Sequence, residues 1–198
     1  AHIEEEYATL SALRDPEEIL RKIDAMENSG LLESPSDAQR EQIADQLAFA
    51  IWGTEDRTPA QAIRALLTAE RYNLVDGEGK LGSRKIDVEL AFRKLINNPN
   101  LADLLHALPV RLASSFLERA TGSFPAVAME RLVTILPQLS TAILHDAIPR
   151  IDIAGGKEPL AKHIQSHVRD RTASPALLYW LFRHPQESVE LADCDTSE

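Results

Sequence analysis

Three stretches of this chain begin in the same way: Asp15-Pro16-Glu17-Glu18, Ser34-Pro35-Ser36-Asp37 and Thr58-Pro59-Ala60-Gln61. A short oxygen-bearing side chain can accept the free amides of a first helical turn. Proline then takes the first helical position, where its missing N–H costs nothing. An acid or amide three residues after the cap completes the pattern of a capping box. Ser174-Pro175-Ala176-Leu177 has the cap and the proline only. Stops stand at Asn28-Ser29-Gly30, Gly53, Asn97-Asn98-Pro99, Gly122, Gly155-Gly156 and Pro185, residue types that end helices. A chain punctuated so often is restricted to short, separately started helices.

The apolar spacing between these marks agrees. Ile43, Leu47 and Ile51 recur at steps of four, and Ile63, Leu66, Leu67 and Leu74 form a second stripe. Met129, Leu132, Val133 and Leu136 follow the i, i+3, i+4, i+7 pattern, as do Leu139, Ala142 and Ile143 in the next segment. No run alternates strictly, so strands are not indicated. Aromatic residues make up only 5% of the chain, a composition that suits helices better than sheets. The spacing predicts an all-α protein of roughly ten short helices, starting near residues 3, 16, 36, 59, 84, 100, 110, 125, 138, 158 and 175. Prolines at 109, 125, 137 and 149 each follow an apolar residue and are read as opening or ending short segments. Such segments stack as antiparallel neighbours in a helical bundle or compact superhelical array.

Charge is uneven along the chain. Residues 1–56 carry four basic and fourteen acidic side chains, residues 57–183 seventeen and twelve, and residues 184–198 none and five. The step near residue 56 suggests an acidic helical N-terminal subdomain over 1–56, a helical main domain over 57–187 and a disordered acidic tail over 188–198. The acidic head is read as a solvated surface, or as an arm that docks on a basic partner or on the chain's own middle. Acidic ends around a mildly basic middle argue against general nucleic-acid binding, which needs a concentrated positive face. No apolar run reaches membrane-spanning length. A lone Cys194 excludes an internal disulfide and a cysteine-built metal site and suits a reducing cytoplasm. The first residues, AHIEEEY, have neither the basic n-region nor the apolar h-region of a secretory signal and no initiator Met, so a processed product or a piece of a longer protein is expected.

The one run that satisfies a named motif is Gly77-Glu78-Gly79-Lys80-Leu81-Gly82, which fits G-x-G-x-x-G. A dinucleotide loop needs a strand before the glycines and a helix after them. Here a capped amphipathic helix precedes, so no nucleotide is expected. Helix, DGEGKLGSRKI, helix resembles an EF-hand stripped of its chemistry over about 35 residues. With Gly79 at the turn, Asp76 and Glu78 take the third and fifth ligand positions, while Leu74 and Lys85 fall on the first and twelfth. Calcium requires carboxylates at both of those places, so the stretch is read as a polar turn between helices.

His163 and His167, four apart, with Asp170 three further on, share one side of a helix and form a weak metal candidate. They also flank the stripe Leu160, Ile164, Val168, where histidines serve packing. Gly155-Gly156-Lys157 lacks the rest of a phosphate loop and reads as a helix stop followed by a basic start. Lys162, Arg169 and Arg171 make a small basic patch without aromatics for stacking. Paired acids such as Glu4-Glu5-Glu6 and Glu17-Glu18 sit at helix starts, where they complement the dipole. No nucleophile spacing is found, so no catalytic residue and no cofactor are expected.

Trp52 ends an apolar stripe, and Trp180 lies in ALLYWLFRHP. A helix apolar nearly all round is either central to a core or a docking face. The expectation is a non-catalytic protein–protein interaction module, part of a larger cytoplasmic protein. It would bind another protein or a following domain of the same polypeptide through Tyr179, Trp180, Phe182 and Arg183. The rival readings are a metal-dependent helical enzyme using His163, His167 and Asp170, and a nucleic-acid-associated helical domain using the basic middle.

Overall fold

Asp15 accepts the amide of Glu18 at 3.0 Å, Thr58 that of Gln61 at 3.2 Å, and Ser174 that of Leu177 at 3.1 Å. Each of these expected caps therefore starts a helix. In the Ser34-Pro35-Ser36 stretch the cap is Ser36, not the residue before proline. Its hydroxyl accepts Gln39 N–H at 3.2 Å while the Gln39 side chain accepts Ser36 N–H at 2.9 Å, a reciprocal capping box. The structure, a computed structural model, describes residues 2–155 and 157–183. For 152–155, 157–161, 163 and 180–183 it describes the backbone alone.

The chain divides into two units, Ala1–Leu95 and Ile96–Glu198. The first holds α1 (His2–Ala12), α2 (Pro16–Asn28), α3 (Asp37–Trp52) and α4 (Pro59–Arg71). A two-residue hairpin follows, β1 (Lys80–Leu81) against β2 (Ile86–Asp87), and then α5 (Val88–Ile96), whose last residue opens the second unit. α3 is the central element and packs on α1, α2 and α4. Its predicted stripe Ile43, Leu47, Ile51 is buried, and so are Ile63 and Leu66 on α4 and Ile19, Ile23 and Met26 on α2. Glu17 ties α2 to α4, receiving Gln61 Nε2 at 3.2 Å and Arg64 Nη1 at 3.1 Å. The Gln61 bond, with Arg64, holds its carboxyl below the usual carboxylate range. The change of charge near residue 56 lies in the turn between α3 and α4, inside this unit.

Two further features of this unit go beyond the sequence reading. A helix is expected from residue 84, yet α5 starts at Val88, because residues 80–87 form the hairpin. Lys85 adopts φ 55° within it. Asp87 is the true cap, its Oδ1 accepting Leu90 N–H at 3.0 Å. The second feature is a stop. α4 closes on Asn73 at φ 54°, with Leu74 N–H on Ala69 O and Asn73 N–H on Glu70 O, a Schellman closure without glycine.

The second unit holds α6 (Leu101–His106), α7 (Val110–Ser123), α8 (Pro125–Ile135), a 3₁₀ turn (Leu136–Gln138), α9 (Thr141–Gly155), α10 (Lys157–Arg169) and α11 (Pro175–Arg183). α9 is its axis, packed by α7, α8, α10 and α11. It buries Ile143, Leu144, Ala147, Ile148 and Ile151. Pro149, read from sequence as a segment boundary, sits inside α9. Proline removes one helical hydrogen bond, and the helix continues because both its flanks are anchored. Ile148 and Ile151 are buried, and Arg150 forks onto Asp146 at 2.9 and 3.1 Å across the proline. The same Asp146 accepts Ser114 Oγ of α7 at 2.7 Å. The Arg150 guanidinium is held charged above its usual range, chiefly by that carboxylate. Among the described residues the fold is all-α apart from the hairpin, and no helix is long and apolar enough to cross a membrane.

Candidate functional site

α11 starts cleanly because Ser174 caps it twice, through Oγ to Leu177 N–H and through its carbonyl to Leu178 N–H at 3.0 Å. Leu177 is fully buried, while the next two residues, Leu178 and Tyr179, are 40% and 45% exposed. The helix packs on α9 and the 3₁₀ turn. One apolar side therefore faces inward, and an apolar-aromatic pair remains at the surface. The side chains of the other three expected contacts, Trp180, Phe182 and Arg183, lie outside the described residues.

α10 runs into α11 through a Schellman closure in which Arg171 takes φ 55°. Thr172 N–H bonds His167 O at 2.9 Å, and Arg171 N–H bonds Val168 O at 3.2 Å. Ile164 is buried and Val168 is 44% exposed. Lys162, Arg169 and Arg171 are exposed. The loop Gly155-Gly156-Lys157 is where α9 ends and α10 begins, with Gly156 itself outside the described residues.

His167 has a structural task. Its Nε2 lies 2.9 Å from Val133 O and its Nδ1 lies 3.0 Å from Thr172 Oγ1. A carbonyl only accepts, so Nε2 carries the proton and Nδ1 faces the threonine hydroxyl. Val133 stands near the end of α8, and the residue four further on, whose amide would serve its carbonyl, is Pro137. The imidazole supplies the donor that proline lacks. Of its proposed metal partners, Asp170 accepts Ser166 Oγ at 3.3 Å, and the side chain of His163 lies outside the described residues. Among the described residues no three His, Cys, Asp or Glu side chains are placed to hold a metal. His167→Ala leaves Val133 O without its donor and is expected to cost about 1–2 kcal/mol. Urea unfolding should give the same loss with and without a chelator. A loss that the chelator abolishes would assign the histidine to a metal instead.

The glycine run folds as a closed turn. Asp76 Oδ1 accepts Glu78 N–H and Lys80 N–H, both at 2.9 Å, and Gly79 O accepts Val88 N–H at 3.0 Å. The Lys80 amide bond chiefly holds the Asp76 carboxyl below its usual range. Lys85 Nζ sits 3.4 Å from Asp76 Oδ2. At the position where an EF-hand places its bidentate glutamate, an ammonium neutralises the loop's own acid. Gly82, at φ 71°, lies against α3. A Cβ there would come 2.9 Å from Asp45 Oδ1, the atom that accepts Ser83 N–H at 2.7 Å. A hollow of about 250 Å³ lies between loop and helix, lined by Arg40, Asp76, Lys80 and Lys85 among others. Its cations are engaged: Arg40 with the carbonyls of Tyr72 and Asn73, Lys80 with Asp87, Lys85 with Asp76. The helix start that a phosphate would need is capped by the Asp87 carboxylate, whose charge opposes an anion.

The sequence reading missed a cluster in the first unit. Trp52, half-buried at the end of α3, has Arg57 Cζ 4.9 Å and Lys94 Nζ 4.7 Å from its ring centre. Lys94 is remote in the chain, and no spacing rule joins it to Trp52. No protein-family model, no curated protein and no solved structure matches the chain.

Proposed function

We propose that this chain is a non-catalytic helical protein–protein interaction module working in the cytoplasm, with α11 as its contact element. The observation that supports the reading most directly is the exposure of Leu178 and Tyr179 beside the fully buried Leu177. A side chain such as Tyr179 offers a large apolar face with a polar tip, the combination enriched where proteins meet. Trp180, Phe182 and Arg183 extend the same short helix and are assigned to the same contact. The occupant is another protein. The metal-enzyme reading loses ground because the His167 ring is committed to Val133 and Thr172.

Tyr179→Ala and Trp180→Ala are the test. Affinity capture from lysate with the full chain should retain a partner that each substitution releases by at least tenfold, with unchanged helical circular dichroism. A partner held equally by both variants would move the contact away from α11.

A further inference from the structure

The first unit is acidic, and five of its cations pair with carboxylates of that excess. Lys22 pairs with Glu6, Arg64 with Glu17, Arg71 with Glu27, Lys80 with Asp87 and Lys85 with Asp76. Arg57 and Lys94 are not among these pairs, and what sets them apart is that they converge on one side chain. Both lie over the Trp52 ring, and among the described residues neither has a carboxylate partner or a hydrogen-bond acceptor. A cation over an aromatic face gains electrostatic energy there. The ring offers its N–H groups no hydrogen-bond acceptor, however.

Gathering these charges has one local cause. α3 ends at Trp52 with no basic residue in its own last turn, and its C-terminal carbonyls attract positive charge. Arg14, over Phe49 at 5.7 Å, answers the same end, but its Nη1 donates to the carbonyls of Ser11 and Leu13. The helix end thus explains why cations collect, while the unspent donors of Arg57 and Lys94 are left over. Beside Trp52 and Arg57 opens a hollow of about 430 Å³ lined by Trp52, Gly53, Thr54, Glu55, Arg57 and Pro59, and Lys94 reaches the same ring without lining it. That volume lies within the range of ligand sites, roughly 300–1,000 Å³. Gly53 keeps the wall in place: a Cβ there would stand 2.2 Å from the Phe49 ring and 2.6 Å from its carbonyl oxygen.

We propose that this hollow docks an acidic, partly apolar peptide segment of a partner protein. Carboxylates of the segment pair with the open N–H groups of Arg57 and Lys94, and an adjoining apolar side chain lies against Trp52 and Pro59. Glu55, on the rim, opposes a carboxylate on its own side and so sets the register. The site uses no residue of α11. It stands or falls separately from the contact proposed there.

The probe is a blocked hexapeptide of alternating glutamate and leucine, titrated into the full chain by calorimetry at low ionic strength. The expected result is saturable binding that weakens with salt and shifts backbone amides at residues 52–59 and Lys94. Arg57→Gln and Lys94→Gln should each weaken it about tenfold, the effect of one charge-assisted hydrogen bond. Glu55→Gln should strengthen it. These side chains are not in the core, and circular dichroism checks that each variant keeps its fold. The proposal is overturned if the peptide does not bind, or if its glutamine–leucine counterpart binds equally well. It is also overturned if both cation substitutions leave the affinity unchanged. Displacement by inorganic phosphate at equal concentration would mark a bare anion site instead, and tighter binding of a short single-stranded DNA would mark a nucleic-acid surface.

Discussion

Gln46→Glu should lower the stability of the first unit by about 3–5 kcal/mol at neutral pH, the cost of an uncompensated buried charge. Gln46 is the buried polar side chain of α3, 6% exposed. Its Nε2 donates to Leu10 O at 2.5 Å and to Leu13 O at 2.9 Å. α1 ends at Ala12, where the last carbonyls of a helix lack their usual amide donors. Leu10 O also receives Leu13 N–H and Leu13 O also receives Arg14 Nη1, and the Gln46 amide supplies the donor to both from the buried side. A carboxylate of the same shape keeps the volume and reverses the chemistry, setting negative oxygen against two carbonyl oxygens. Burial and those carbonyls raise the folded-state pKa of the new carboxyl above its unfolded value of about 4.3. The penalty is therefore absent below that pH and grows as the pH rises through the raised folded value. Urea unfolding of variant and parent at acid and neutral pH reads the difference. A gap that does not widen toward neutral pH would show that the amide's donation is not what matters there.

How much of this was readable beforehand depends on whether the determining atoms are neighbours in the chain. The caps at Asp15, Thr58 and Ser174 are local, each a side chain meeting an amide three residues on, and their places could be read. The stripe on α3 was equally legible, since helical spacing alone decides that Ile43, Leu47 and Ile51 face one way. The stops at Asn73 and Arg171 were not. Both take positive φ where glycine is the usual choice, and only the closed hydrogen bonds of the Schellman turn hold them there. Pro149 misled because a proline usually ends a helix. The exception rests on the Arg150–Asp146–Ser114 network and on buried neighbours, which are tertiary facts.

The candidate sites follow the same division. The glycine run is read as a polar turn on local grounds, and in the structure Asp76 and Lys85 pair within that turn. The role of His167 was hidden, because it depends on Pro137 removing a donor from a helix packed beside α10. The Trp52 cluster was hidden for the same reason. One of its two cations arrives from α5, and nothing in the residues around Trp52 announces it.

Phe116→Ala should cost the second unit about 3–5 kcal/mol, the range for deleting a buried aromatic ring. Phe116 is fully buried on α7, in a row with Ala113, Leu117 and Ala120, and α7 makes one of the closest pairings with the axial helix α9. Ala113 and Ala120 are buried in the same row, and residues of a close-packed face have little freedom to move into a vacated space. The cost should then include a cavity contribution beyond lost transfer energy. Val110, on the same helix, is 54% exposed, and Val110→Ala should change stability by less than about 0.5 kcal/mol. The two substitutions remove apolar atoms from one helix and differ mainly in which face loses them. Urea midpoints moving by similar amounts would mean that α7 does not bury the face assigned to it, and the packing of the second unit around α9 would have to be redrawn.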